Sequence, residues 1–271
     1  MITRLFNIIR SFLRELYGKR DLILNLAVRD FRSTYFGSVL GIVWVFIEPC
    51  IYMFVMWFFF TKAVKFRPGV GYPYVVWLMT SMILWMFLST AFATSVFTFK
   101  KYSYLLRRPN LNMSIMPVVS ILSALIVHGV FFLLLIILLF ASNIPMSIYW
   151  FQSLYYLFAT CVLLLGLSWI TASVSLFVSD MRNAVSVMLQ IGFWVSPIFW
   201  DLKTYPEEYR FLLKLNPATY LLEGYRKSFL YNEPFWADRT GGIYFWSFTL
   251  IVLAAGMITY KKLRPHFGDV I

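Results

Sequence analysis

Charge is what this chain has least of. Asp, Glu, Lys and Arg make up only 13% of its 271 residues, while 61% are hydrophobic; soluble domains hold about 45–50% apolar residues. That balance excludes a soluble globular domain. Cysteine is nearly absent as well: Cys50 and Cys161 are the two there are, and both lie in apolar runs. This excludes a disulfide framework and indicates no metal site. The two histidines, His128 and His266, are far apart. There is no phosphate loop of the G-x-x-x-x-G-K-[ST] kind, no H-E-x-x-H and no C-x-x-C. The chain therefore has no P-loop site for ATP, and an enzyme is not expected. A membrane transferase using Glu48 or His128 as base is the weaker alternative; His128 reads better as a buried, hydrogen-bonded histidine. The first 36 residues lack the apolar core of a cleavable signal peptide. The first span is then expected to target the chain.

What is present is apolar length. Six runs reach the roughly 17–25 residues that a membrane helix needs: Gly37–Thr61, Tyr74–Phe99, Met116–Ala141, Trp150–Ser179, Ala184–Trp200 and Gly242–Tyr260. The fifth is the shortest and ends at Ser196-Pro197. The expected fold is an all-α integral membrane bundle of six transmembrane helices. An even number puts both termini on one side. Fifteen Lys/Arg then share that side and nine lie opposite, six of the nine among six acids. The positive-inside rule makes the termini cytoplasmic. The net charge of +12 reads as a membrane-surface property, with no nucleic acid as partner.

Residues 1–36 form a unit apart from the six-span domain, 37–271. Leu5, Phe6, Ile8, Ile9, Phe12, Leu13, Leu16 and Tyr17 share one helical face opposite Arg4, Arg10 and Arg14, the pattern of an interfacial amphipathic helix. After Gly18-Lys19-Arg20, Asp21 can cap a second helix that runs to about Phe31. Its polar residues Arg29, Asp30 and Arg32 suit a protein partner or lipid headgroups. The basic stretch from Lys100 and Lys101 through Tyr104 to Asn112 is a second docking candidate. The external segment 201–240 carries two helix starts, Tyr205-Pro206-Glu207-Glu208 and Asn216-Pro217. The second helix, running to about Tyr231, includes Glu223, Tyr225 and Arg226. Two short helices there would gate an exit or only lid the bundle.

One carboxylate, Glu48, stands in the first span, where such a group costs about 2.5–3.5 kcal/mol. It is the middle of a stripe, Trp44, Glu48 and Tyr52, spaced four residues apart. The fifth span has a matching stripe in Ser186, Gln190 and Trp194. Such a stripe should face protein or water rather than lipid. Aromatic rings with sparse polar groups suit a sugar polymer, which stacks without being gripped.

These pieces resemble the permease subunits of ABC-2-type polysaccharide and teichoic acid exporters. The carriers are Arg29-Asp30-Phe31 through Tyr35-Phe36-Gly37-Ser38-Val39-Leu40-Gly41-Ile42-Val43-Trp44, then Tyr72 to Trp85. Asn216-Pro217-Ala218-Thr219-Tyr220 with Glu223-Gly224-Tyr225-Arg226 follows, and the tail is Leu263-Arg264-Pro265-His266-Phe267-Gly268-Asp269-Val270-Ile271. The resemblance covers nearly the whole chain. It is nearest the wall teichoic acid branch, with O-antigen permeases next. It implies a homodimer bound to two ATP-binding subunits that hold the ATP and Mg, so no cofactor in this chain. It implies a gate helix near residues 2–17, an ATPase-contacting helix near 22–34, a coupling segment near 100–108 and two external gate helices. The implied pore is lined by the first and fifth spans. The implied substrate is an undecaprenyl-diphosphate-linked polymer moving outward across the bacterial cytoplasmic membrane. Arg4, Arg10 and Arg14 are placed to meet its headgroup. An ABC-2 drug or lipid exporter is the nearest rival.

Overall fold

The computed structural model describes residues 2–35, 40–63, 71–105 and 112–270; their regular structure is all helix, without a strand among them. Two helices precede the bundle: α1 (Ile2–Gly18) and α2 (Arg20–Tyr35). The bundle is α3 (Trp44–Phe58), α4 (Tyr74–Ser95), α6 (Met116–Ala141), α7 (Gln152–Val174), α8 (Met181–Val195) and α11 (Arg239–Leu263). Short helices complete it: α5 (Thr98–Lys101), α9 (Glu207–Lys214), α10 (Pro217–Arg226) and α12 (Phe267–Val270).

Among the described residues, five helical runs are long and apolar enough to cross a membrane: Gly41–Lys62, Tyr74–Ser95, Met113–Ala141, Ile148–Val174 and Arg239–His266. The expected fifth span, Ala184–Trp200, is a shorter helix. Proline disfavours helical backbone in the residue before it, so α8 stops at Val195 and Ser196 turns extended, with ψ 146° ahead of Pro197. Fifteen residues rise about 22 Å, against a hydrocarbon core of about 30 Å. The second run is also shorter than Tyr74–Phe99, because α4 ends at Ser95 and a turn separates it from α5.

Two apolar cores hold the elements. The larger fills the bundle from Met53 to Phe245 and centres on α4, which is buried on nearly every side. The smaller lies at the end that carries both chain termini and joins Ile23, Tyr102, Ile115, Trp169, Tyr260 and Phe267. There Phe12 of α1 meets Trp169 edge-on at 5.2 Å. Glu15 accepts from the Asn112 backbone N–H at 3.0 Å, and Asn112 accepts from the Tyr260 hydroxyl at 2.8 Å. Leu13 and Tyr17 stay exposed. The apolar face of α1 is thus split between the protein and its surroundings.

The tightest helix pair is α7 with α11. A β-carbon on Gly166 would come within 2.9 Å of the Leu253 backbone, and one on Gly256 within 2.5 Å of the Gly166 carbonyl oxygen. Small residues let the two backbones approach, which is how helices gain contact area where lipid supplies no hydrophobic drive.

Candidate functional site

A cavity of about 710 Å³ opens between α3, α4, α6 and α8. Trp44 and Tyr52 line it from α3, and Gln190 and Trp194 from α8, so four members of the two stripes meet there. Ser186 is exposed on α8 outside the lining. Glu48 is within α3, but its side chain lies outside the described residues. Tyr52 and Phe193 rings stand 5.9 Å apart across the cavity, and Trp85 closes on Phe193 at 6.0 Å. A β-carbon on Gly192 would sit 3.0 Å from the Trp85 ring, so α8 presses its small face on α4. The stripes left the other two walls unnamed. Trp85, Ser89 and Thr90 come from α4, and His128 and Phe131 from α6. His128 is buried, and its Nε2 lies 3.1 Å from the Tyr225 hydroxyl. Among the described residues of the lining there is no Asp, Glu, Lys or Arg; Ser89, Thr90, His128 and Gln190 are polar, and seven Trp, Tyr and Phe rings share the wall with aliphatic side chains.

The end of the bundle opposite the termini is closed by α9 and α10. Asn216 caps α10: its side chain accepts from the Ala218 N–H at 3.0 Å, with Pro217 at the first helical position. The same side chain donates to Ser196 at 2.9 Å, just past the end of α8. Tyr225 and Arg226 of the expected external gate are buried against the bundle, 0% and 1% exposed. The cause is α10 itself, which packs against α4 and α7: a β-carbon on Gly224 would overlap the Tyr156 ring. Arg226 stacks 3.5 Å from the centre of the Trp77 ring. It pairs with Glu223 at 2.6 Å and donates to the carbonyls of Pro197 (2.9 Å) and Ile198 (3.1 Å). One guanidinium therefore ties α10, α4 and the segment following α8 together. Its planar fork is suited to several acceptors at once.

At the terminal end, α2 is latched to the segment after α4. Asp30, nearly buried, pairs with Lys101 at 3.0 Å. Arg29 donates to the Tyr104 hydroxyl at 2.5 Å. That bond raises the Arg29 pKa further above its ordinary value, outweighing partial desolvation. Burial, then the neighbouring Asp30, pushes the Tyr102 hydroxyl well up. Arg32 and Lys100 are exposed beside this latch. Arg10 and Arg14 are exposed on α1; the side chain of Arg4 lies outside the described residues, as do Arg107 and Arg108.

The long apolar helices around an aromatic cavity, latched to a helical arm at one end, have counterparts among known proteins. The profile of the ABC-2 type transporter family matches residues 21–230. The chain belongs to that family. It is a multi-pass membrane permease, a transporter's membrane subunit rather than an enzyme. Among curated relatives it is similar to the O-antigen export system permease protein RfbA of Klebsiella pneumoniae, 23% identical over 257 residues, 93% of this chain and 95% of the relative. It is also similar to the protein of the same name from Myxococcus xanthus, 26% identical over 265 residues, 95% of this chain and 98% of the relative. Within this ABC-2 permease, the matched region spans the latch, the cavity and the Arg226 tie.

Proposed function

We propose that this permease moves an undecaprenyl-diphosphate-linked glycopolymer from the inner to the outer face of the bacterial cytoplasmic membrane, driven by ATP hydrolysis in separate subunits. The observation that carries the reading is the aromatic wall of the 710 Å³ cavity. Flat rings stack on sugar faces, and a wall with no Asp, Glu, Lys or Arg among its described residues lets a polymer slide past. The names of the relatives favour an O-antigen type of polymer; the resemblance of the carboxy-terminal tail favours wall teichoic acid.

In this reading two copies of the chain face each other across the sparsely covered sides of α3 and α8, with α8 as a short fifth span of six. Two ATP-binding subunits dock at Arg29, Asp30, Arg32, Lys100, Lys101 and Tyr104. Both termini are cytoplasmic, Arg4, Arg10 and Arg14 meet the diphosphate headgroup, and α9 with α10 forms the external gate. Opening then means moving the end of α8, which Asn216 and Arg226 hold.

Depleting the chain in its host tests this. Lipid-linked polymer should accumulate at the inner face, and the purified chain with its ATPase should restore export in vesicles. Export by the chain alone, without any ATPase, would sink the reading. A second reading, an ABC-2 exporter of a drug or simple lipid, is favoured by the cavity's size, which lies within the roughly 300–1,000 Å³ of small-molecule pockets. Unchanged levels of lipid-linked polymer on depletion would select it.

A further inference from the structure

A second cavity, of about 580 Å³, lies among α9, α10 and the start of α11, away from the conduit. Its charges can be assigned one by one. Asp201 accepts from the Lys203 backbone N–H at 2.9 Å, and Asp238 from the Gly241 N–H at 3.0 Å. Glu223 holds Arg226 at 2.6 Å, and Glu233 holds Lys227 at 2.8 Å. Arg210 donates to the carbonyls of Tyr205 (2.8 Å) and Lys203 (2.9 Å). Glu223 and Glu233 are thus paired with cations, while Asp201 and Asp238 each hold one backbone N–H. Among the described residues of the lining, the Lys203 and Lys214 ammonium groups make no hydrogen bond and no ion pair within 4 Å, Lys203 meeting Glu223 only as a more distant charge.

The flank of the cavity is apolar and turned outward. Tyr209, Phe211, Leu212 and Leu215 of α9 and its exit are 42–67% exposed, and Trp236 near the start of α11 is 65% exposed. A short amphipathic helix with a bare apolar face lies in the membrane interface. Tryptophan belongs at the same depth. The two free cations then stand at the level of the lipid phosphates, above side chains that suit acyl chains.

We propose that this cavity holds the phosphate of an anionic lipid headgroup, with Lys203 and Lys214 as its cationic contacts and the apolar face of α9 against the acyl chains. The inference rests on the chain lying in a bilayer and not on which polymer it moves.

The test is a titration of the full chain in non-ionic detergent with dihexanoyl phosphatidylglycerol, dihexanoyl phosphatidylcholine and inorganic phosphate, read by tryptophan fluorescence. The phosphatidylglycerol should bind saturably and the phosphatidylcholine about tenfold or more weakly, since each basic residue near an anionic surface is worth about fivefold. Inorganic phosphate should not compete. The pair Lys203→Gln/Lys214→Gln should lose the preference for the anionic lipid, and Lys203→Arg/Lys214→Arg should keep it. Equal binding of the two lipids, or a preference that survives in the Gln pair, overturns the site. Phosphate alone binding as tightly as phosphatidylglycerol overturns the lipid assignment.

Discussion

Arg226 is the residue on which most of the far end depends. A guanidinium at 1% exposure is tolerable because Glu223, two carbonyls and the Trp77 face replace its water. Removing one partner of a buried pair costs about 3–5 kcal/mol; Glu223 keeps some exposure, which discounts this. Arg226→Met should therefore destabilise by about 3 kcal/mol, seen as a lower thermal midpoint in detergent. Arg226→Met with Glu223→Gln should recover part of the loss, because no unpaired charge is left behind. Lysine at 226 should not substitute, having one point of charge where the site uses a fork. Arg226 was visible in the sequence as part of a Glu-Gly-Tyr-Arg string, but its burial was not. A helix between spans reads as external by position, and only its packing on α4 and α7 turns Tyr225 and Arg226 inward.

Among the elements, the α2 latch and the α7–α11 seam answer different questions. Asp30→Ala leaves a half-exposed Lys101 ammonium that water can solvate, an expected loss of about 1 kcal/mol or less. Lys101→Met should cost more, about 1–3 kcal/mol, because it strands the nearly buried Asp30 carboxylate. A double-mutant cycle read by thermal unfolding checks whether the two losses couple. At the seam, Gly256→Leu pushes side-chain atoms into the Gly166 carbonyl; overpacking of this kind costs about 1–3 kcal/mol, or more where backbone must move. The same comparison shows what sequence could reveal. Apolar length located the five long runs, and the Asn216-Pro217 and Pro206-Glu207-Glu208 signals located α10 and α9. The stripes on α3 and α8 were legible because polar residues stand out on an apolar helix. Trp85 and Phe131 were not, since α4 and α6 carry large apolar residues on all sides and no periodicity marks which face lines a cavity. The Ser196-Pro197 break did foreshadow the early end of α8.

At the scale of the whole molecule the cavity is the feature to probe. In a background without Cys50 and Cys161, Trp44→Cys and Gln190→Cys should react with a water-soluble thiol reagent several-fold faster than Leu133→Cys, whose position on α6 is 63% exposed and is expected to face lipid. Equal rates would remove the cavity from the pathway. The aromatic wall has a further, electrical consequence. A membrane potential of 100 mV drives each elementary charge with about 2.3 kcal/mol, so a passage wide enough for sugar rings is a standing risk of ion leak. A constriction lined by ring carbon expels water and blocks ions while vacant. If the cavity is the polymer's passage, as proposed, its rings are thus the insulation when it is empty. Trp44→Ser with Trp194→Ser should make the idle transporter conduct in planar bilayers, while the unaltered chain stays silent.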